Sequence, residues 1–241
     1  VQRQGEAALA FMAEQQLHGV VLAGRPYHVD PEINHGLPEL IQSYGLVILS
    51  EDAVQHLGKV PRPLRVVDQW VYHSRLYGAA SFAANHPGLE FVQINSFGCG
   101  LDAITMDQTK EILAARNRIY TVIKLDEISN LGAARIRIRS LLAALSEQRR
   151  SAIPGSAVPV ADFSAPAFLR NLKSSYTVLA PQLSPIHCQF YEAGFQAAGV
   201  RLLVAPLPDR QAIDEGLKYV NNDACYPAIL IVGQLLRALQ S

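Results

Sequence analysis

Charge is scarce in this chain: Asp, Glu, Lys and Arg make up 17% of its 241 residues, and 21 basic against 21 acidic side chains leave no net charge. Globular domains average about a quarter charged. With neither sign in excess there is no basic field to hold a nucleic-acid backbone by counterion release, so no nucleic-acid partner is expected. Long apolar runs are missing too. None reaches the roughly 18 residues of a membrane span, and the opening Val1-Gln2-Arg3-Gln4-Gly5-Glu6 lacks the charged-then-apolar layout of a signal peptide. A soluble, cytoplasmic protein with no membrane partner is expected. Cysteine is limited to Cys99, Cys188 and Cys225, an odd number without a CxxC pair, which fits neither a disulfide scaffold nor a zinc ribbon. Neither GxGxxG nor GxxxxGK[ST] occurs, so the usual phosphate cradles are absent. There is no initiator Met, and 235–241 keep a helical pattern without a C-cap, so a fragment of a larger protein is expected.

What is present is hydrophobic: 49% of the residues, enough for one large core or two smaller ones. Short apolar runs at 20–23, 46–49, 91–94 and 120–124, bounded by Gly, Pro, Asn or Asp, predict buried parallel strands. Stretches of helical period at 33–44, 68–85, 105–115 and 133–145 separate or follow them. That alternation predicts α/β architecture, a parallel sheet with helices on both faces. The first domain, four βα units, is expected over 1–149, a Pro-rich linker over 150–173, and a second, truncated α/β domain over 174–241. In the second, strands are expected at 176–180 and 200–205 and helices at 185–198, near 211–216 and from 226 onward.

Ligands of parallel α/β sheets bind beyond the carboxyl ends of the strands, so the loops there carry most weight. The loop after the first strand, 24–36, packs Gly24, Arg25, Tyr27, His28, Asp30, Asn34 and His35 into one turn. The loop after the third contains Gly98, Cys99, Gly100 and Asp102. Flanking glycines let Cys99 approach a ligand closely, while the ordinary reading of a free cysteine is a small buried hydrophobe. Cys225 follows Asn222 and Asp223 and precedes Pro227 at the start of a helix, where the helix dipole favours a thiolate; an ordinary cap made by Asn222 or Asp223 is the competing reading. Cys188, inside a helical pattern, reads as packing. His28 and His35 lack HxH or HExxH spacing, so hydrogen bonding by Arg25, Tyr27 and His28 to a ligand or a domain interface is preferred over a metal chelate. Arg135, Arg137 and Arg139 alternate along a helix, with a solvated face as the default reading.

The stretches GRPYHVDPEINHG (24–36), NSFGCGLDAITMDQ (95–108), KLDEISNLGAARIRIRSL (124–141), APQLSPIH (180–187) and DEGLKYVNNDACYPAILIVGQ (214–234) resemble the long acyl-CoA dehydratase activase-related proteins, also called 2-hydroxyglutaryl-CoA dehydratase activators. The resemblance runs from about 19 to 239, the Pro-rich stretch excepted. It implies flavodoxin-like domains that hold a [4Fe-4S] cluster, with Cys99 and Cys225 as ligands in the full-length protein and a third ligand beyond this chain. It further implies an activase ATPase domain elsewhere in the same parent chain, an acyl-CoA-type substrate, a homodimer, and ATP-driven low-potential electron transfer in anaerobic metabolism. Gly24, Arg25, Tyr27, His28, Asn34, His35, Gly98, Gly100, Asp102, Asn222 and Asp223 would line the cluster's cleft. Two other functions compete. One is a metal-free scaffold that docks the activase to a dehydratase; the other is a hydrolase with a cysteine nucleophile and His28 or His35 as base.

Overall fold

The computed structural model describes residues 1–64, 68–96, 100–125, 131–151, 173, 175–220 and 225–240. They form two compact units, one around a four-stranded sheet and one around a two-stranded sheet. The expected linker, 150–173, lies outside the described residues apart from 150, 151 and 173.

In the first unit the chain runs α1 (Gln2–Glu14), β1 (Gly19–Ala23), α2 (Pro31–Asn34), α3 (Leu37–Gln42), β2 (Val47–Ser50), α4 (Glu51–Val54), α5 (Val71–Asn85), β3 (Leu89–Asn95), α6 (Gly100–Ala114), β4 (Tyr120–Lys124) and α7 (Gly132–Ser151). All four strands are parallel, in the order β2-β1-β3-β4, the flavodoxin-like order. The chain leaves β1 to one side for β2 and crosses back to the other for β3. Successive side chains of a strand point to opposite faces, and the sheet is packed on both. Val21, Ala23, Leu89 and Phe91 meet Met12 of α1, Leu76 and Tyr77 of α5 and Leu113 of α6. Val20, Val92, Ile94 and Ile123 meet Leu37 and Ile41 of α3 and Ile138 and Leu141 of α7. Two covered faces explain why the strands read as continuous apolar runs rather than as alternation.

Three elements depart from the expectation, the single-turn α4 after β2 among them. The helix expected over 33–44 is two short ones, because His35 and Gly36 both take left-handed backbone (φ 53° and 81°), which no helix continues through. The N-terminal helix α1 was not anticipated; its apolar residues are bunched in one run, 7–13, most of them alanine, and it packs on α4. Among the described residues, no helix is long and apolar enough to cross a membrane.

The second unit comprises β5 (Thr177–Ala180), α8 (Pro185–Ala197), β6 (Arg201–Val204), α9 (Arg210–Gly216) and α10 (Tyr226–Gln240), with β5 and β6 parallel, as expected for a partial α/β domain. Asp209 caps α9 by accepting the Ala212 N–H at 2.9 Å. The last two helices cross backbone to backbone: a Cβ on Gly233 would sit 1.8 Å from the carbonyl oxygen of Ala212, and one on Gly216 would sit 2.1 Å from that of Ile229. Gly233→Ala must therefore push α9 and α10 apart. A loss of about 1–3 kcal/mol is expected, the range of overpacked cores, read as earlier urea unfolding of this unit by hydrogen exchange; an unchanged midpoint would show that the crossing relaxes freely.

Candidate functional site

The crevice where strand order reverses lies between β1 and β3, and the residues that leave these two strands meet there. From β1 the chain passes Gly24 and Arg25 into a 3-10 turn, Pro26–Val29. The Arg25 N–H donates to His28 Nδ1 at 3.0 Å. With Nδ1 accepting, the ring proton is assigned to Nε2, which donates to Ser96 Oγ at 2.8 Å. Burial, opposed by the charge of Asp102 and reinforced by that of Arg25, pushes the His28 imidazole down to about 4, so the ring is neutral at physiological pH. Gly24 permits this arrangement: a Cβ there would lie 2.4 Å from His28 Nδ1.

Arg25 reaches the first turn of α6. Its Nε donates to Asp102 Oδ1 at 2.8 Å, and its guanidinium lies 4.8 Å from the centre of the Tyr72 ring. The Tyr72 hydroxyl donates to the same Asp102 oxygen at 3.0 Å, and burial, with Asp102 adding to it, raises that hydroxyl's pKa so that it stays a donor. Asp102 is buried, 3% exposed, with a cation and a phenol for partners. Asn34, also buried, braces the turn from below: its amide NH2 donates to the His28 carbonyl at 3.4 Å and its oxygen accepts the Gly36 N–H at 3.0 Å. Tyr27 sets its ring edge-on to His28 at 4.6 Å. The β1 loop is thus tied to both Ser96 and Asp102.

A second group gathers where β2 ends. Glu51, 3% exposed, accepts the N–H of Gly24 and its own N–H, and its Oε1 pairs with Arg75 at 3.3 Å, while Arg75 also pairs with Asp52 at 3.1 Å. Burial dominates, and pushes the Glu51 carboxyl up to about 7. A cavity of about 140 Å³ opens beneath the β1 loop, and Gly24, Arg25, His28, Asn34 and Glu51 line its polar side.

Among the sequence-predicted residues, Gly24, Arg25, Tyr27, His28, Asn34 and Asp102 come together in the first unit. His35 stands at the end of α2, half-buried. Gly100 opens α6; Gly98, Cys99, Asn222 and Asp223 lie outside the described residues. Cys225 is a free, half-buried thiol at the start of α10, its carbonyl accepting the N–H groups of Ala228 and Ile229. Cys188 is free and buried within α8. Arg135, Arg137 and Arg139 are all exposed. Among the described residues no group of three or more His, Cys, Asp or Glu side chains is placed to hold a metal ion.

Residues 1–54 match the family model of the CoA enzyme activase uncharacterised domain. No curated protein and no solved structure matches the chain. The similarity to the CoA enzyme activase domain covers α1 through α4, and so includes Gly24, Arg25, His28, Asn34 and Glu51; the broader resemblance expected over 19–239 has that segment as its support.

Three residues of this CoA enzyme activase-like region and its surroundings escaped the sequence reading: Glu51, Tyr72 and Ser96. Glu51 directly follows β2, so the rule that singled out the loops after β1 and β3 reaches it as well. Tyr72 sits in the first turn of α5, where an aromatic residue in an amphipathic helix gives no sign of function.

Proposed function

We propose that the chain is the cofactor-bearing part of a CoA enzyme activase-related protein. In this reading, Cys99 and Cys225 of the full-length protein are thiolate ligands of a [4Fe-4S] cluster that serves electron transfer driven by the ATPase domain of the same parent chain toward an acyl-CoA-type substrate. The observation that carries the reading is the double anchoring of the β1 loop: Ser96 and Asp102, which flank the Cys99 segment on either side, are held by His28 and Arg25. Arg25 and His28 are then positioning residues, and their role is to orient the chain from which the thiol departs. The donor chemistry of Cys225 fits as well, since it is a free, half-buried thiol at the start of a fifteen-residue helix. When bound, such a cluster supplies one-electron chemistry at a potential tuned by hydrogen bonds to its sulfurs.

Anaerobic reconstitution of the full-length protein tests the ligand set. The wild type is expected to take up iron and sulfide with a broad visible band near the cluster's charge-transfer region, and Cys99→Ala and Cys225→Ala each to lose most of that iron. Unchanged iron content and spectrum in both variants would sink the assignment.

A further inference from the structure

The cavity beneath the β1 loop has a chemistry that the proposed function does not use. Its lining combines hydrocarbon from Leu22, Ile48 and Ile94 with the carboxyl-bearing Glu51. Glu51 is buried, and the positive charge near it is incomplete: one guanidinium, that of Arg75, serves two carboxylates, Glu51 at 3.3 Å and Asp52 at 3.1 Å. Arg25, which also lines the cavity, is matched by Asp102, and His28 is neutral. Asp52 is 44% exposed and its charge is met by water, so the deficit falls on Glu51, whose side chain is only 5% exposed. The backbone amides of Gly24 and Glu51 and the Arg75 guanidinium offset the cost of burying this carboxylate only in part, since burial still outweighs them.

We propose that this cavity is a binding site for a small organic cation, a primary ammonium on a short hydrocarbon, with the ammonium on Glu51 and the hydrocarbon against Leu22, Ile48 and Ile94. The size is right: cavities of about 150 Å³ hold a benzene-sized guest, so a volume of about 140 Å³ takes a chain of about four to six carbons. The charge is right, because an ammonium supplies the missing positive group inside a space where an uncompensated carboxylate is costly. The hydrocarbon loses water on three apolar side chains. The inference does not depend on the iron–sulfur reading, since none of these residues is a proposed ligand.

The test is a titration of the full chain with n-butylammonium chloride, followed by methyl NMR of Leu22, Ile48 and Ile94, with n-butanol as the uncharged comparator at constant ionic strength. Butylammonium keeps its charge up to about pH 10, so any pH dependence reports Glu51. The affinity is expected to rise about tenfold from pH 6 to pH 8 as Glu51 ionises around 7. Glu51→Gln is expected to weaken binding at pH 8 at least about tenfold. The proposal is overturned if the three methyl signals do not move, if n-butanol binds as well as n-butylammonium at pH 8, or if affinity is flat between these pH values. The last two outcomes are read on the wild type and stand even where the variant fails to fold.

Discussion

Arg25→Met is expected to lower the stability of the first unit by about 3 kcal/mol or more, the cost of leaving a buried carboxylate without its cation. Asp102 is 3% exposed, and after the change the Tyr72 hydroxyl still donates to it but brings no positive charge. The methionine keeps most of the hydrocarbon volume of the arginine stem, so the loss reports charge rather than a cavity. A second substitution separates the two explanations. Pairing Arg25→Met with Asp102→Leu removes both charges and should recover most of the loss, because a buried ion pair replaced by apolar groups is close to neutral in stability. Urea unfolding followed by the fluorescence of Trp70, the only tryptophan and a residue of the first unit, measures both variants. A loss under about 1 kcal/mol for Arg25→Met, typical of exposed pairs, would mean that solvent reaches Asp102. The arginine would then not be the strut that holds α6 to the β1 loop.

Glu51→Gln is expected to stabilise the protein at pH 8 by about 2–3 kcal/mol and to have little effect near pH 5. The carboxyl holds its proton up to about pH 7 in the folded chain, against 4.5 as its ordinary value. Between those limits the folded state binds more protons than the unfolded one, so stability from this group is fully present below about pH 4.5, declines as pH rises, and is gone above about 7. Each pKa unit is worth about 1.4 kcal/mol, which puts the full span near 3 kcal/mol. Glutamine imitates the protonated acid and still accepts the Gly24 N–H, so it removes the pH dependence while keeping the backbone contact. Denaturation curves of both proteins from pH 5 to pH 8 give the difference directly, and other titrating groups cancel in the comparison. A difference that stays constant across that range within about half a kcal/mol, the usual error of additivity, would show that Glu51 is ionised throughout.

These two positions also show how far reading the chain could go. Arg25 stood out, because polar residues crowded just past an apolar run are unusual and the carboxyl ends of parallel strands are where ligands bind. Its partner did not. Nothing in the spacing of Arg25 and Asp102, 77 residues apart, announces an ion pair; only the placement of β1 beside β3 brings the ends of the two strands together. The same holds for His28 and Ser96, 68 residues apart. His28 was open to reading as a metal ligand, a base or a hydrogen-bonding residue, and its two hydrogen bonds, to Arg25 N–H and Ser96 Oγ, answer with a neutral ring engaged at both nitrogens. Glu51 was not singled out, since a sequence does not say which carboxylates lose their water.

By itself the amino-acid sequence determined the class of fold. Short, mostly apolar runs of four or five residues, alternating with helical periods, predict strands covered on both faces, and those require crossover helices and parallel pairing. It also singled out the loops after β1 and β3, which the structure ties together through Arg25–Asp102 and His28–Ser96, and separated Cys188, in a helix, from Cys225, at a helix start. Tertiary structure alone decided the strand order β2-β1-β3-β4, the break at His35 and Gly36 within an apparently continuous helix, and the burial of Glu51. The reason is the range of the forces. Periodicity and turn chemistry act between near neighbours, whereas dehydration and the pairing of charges depend on which distant segments the packed sheet brings within a few ångströms.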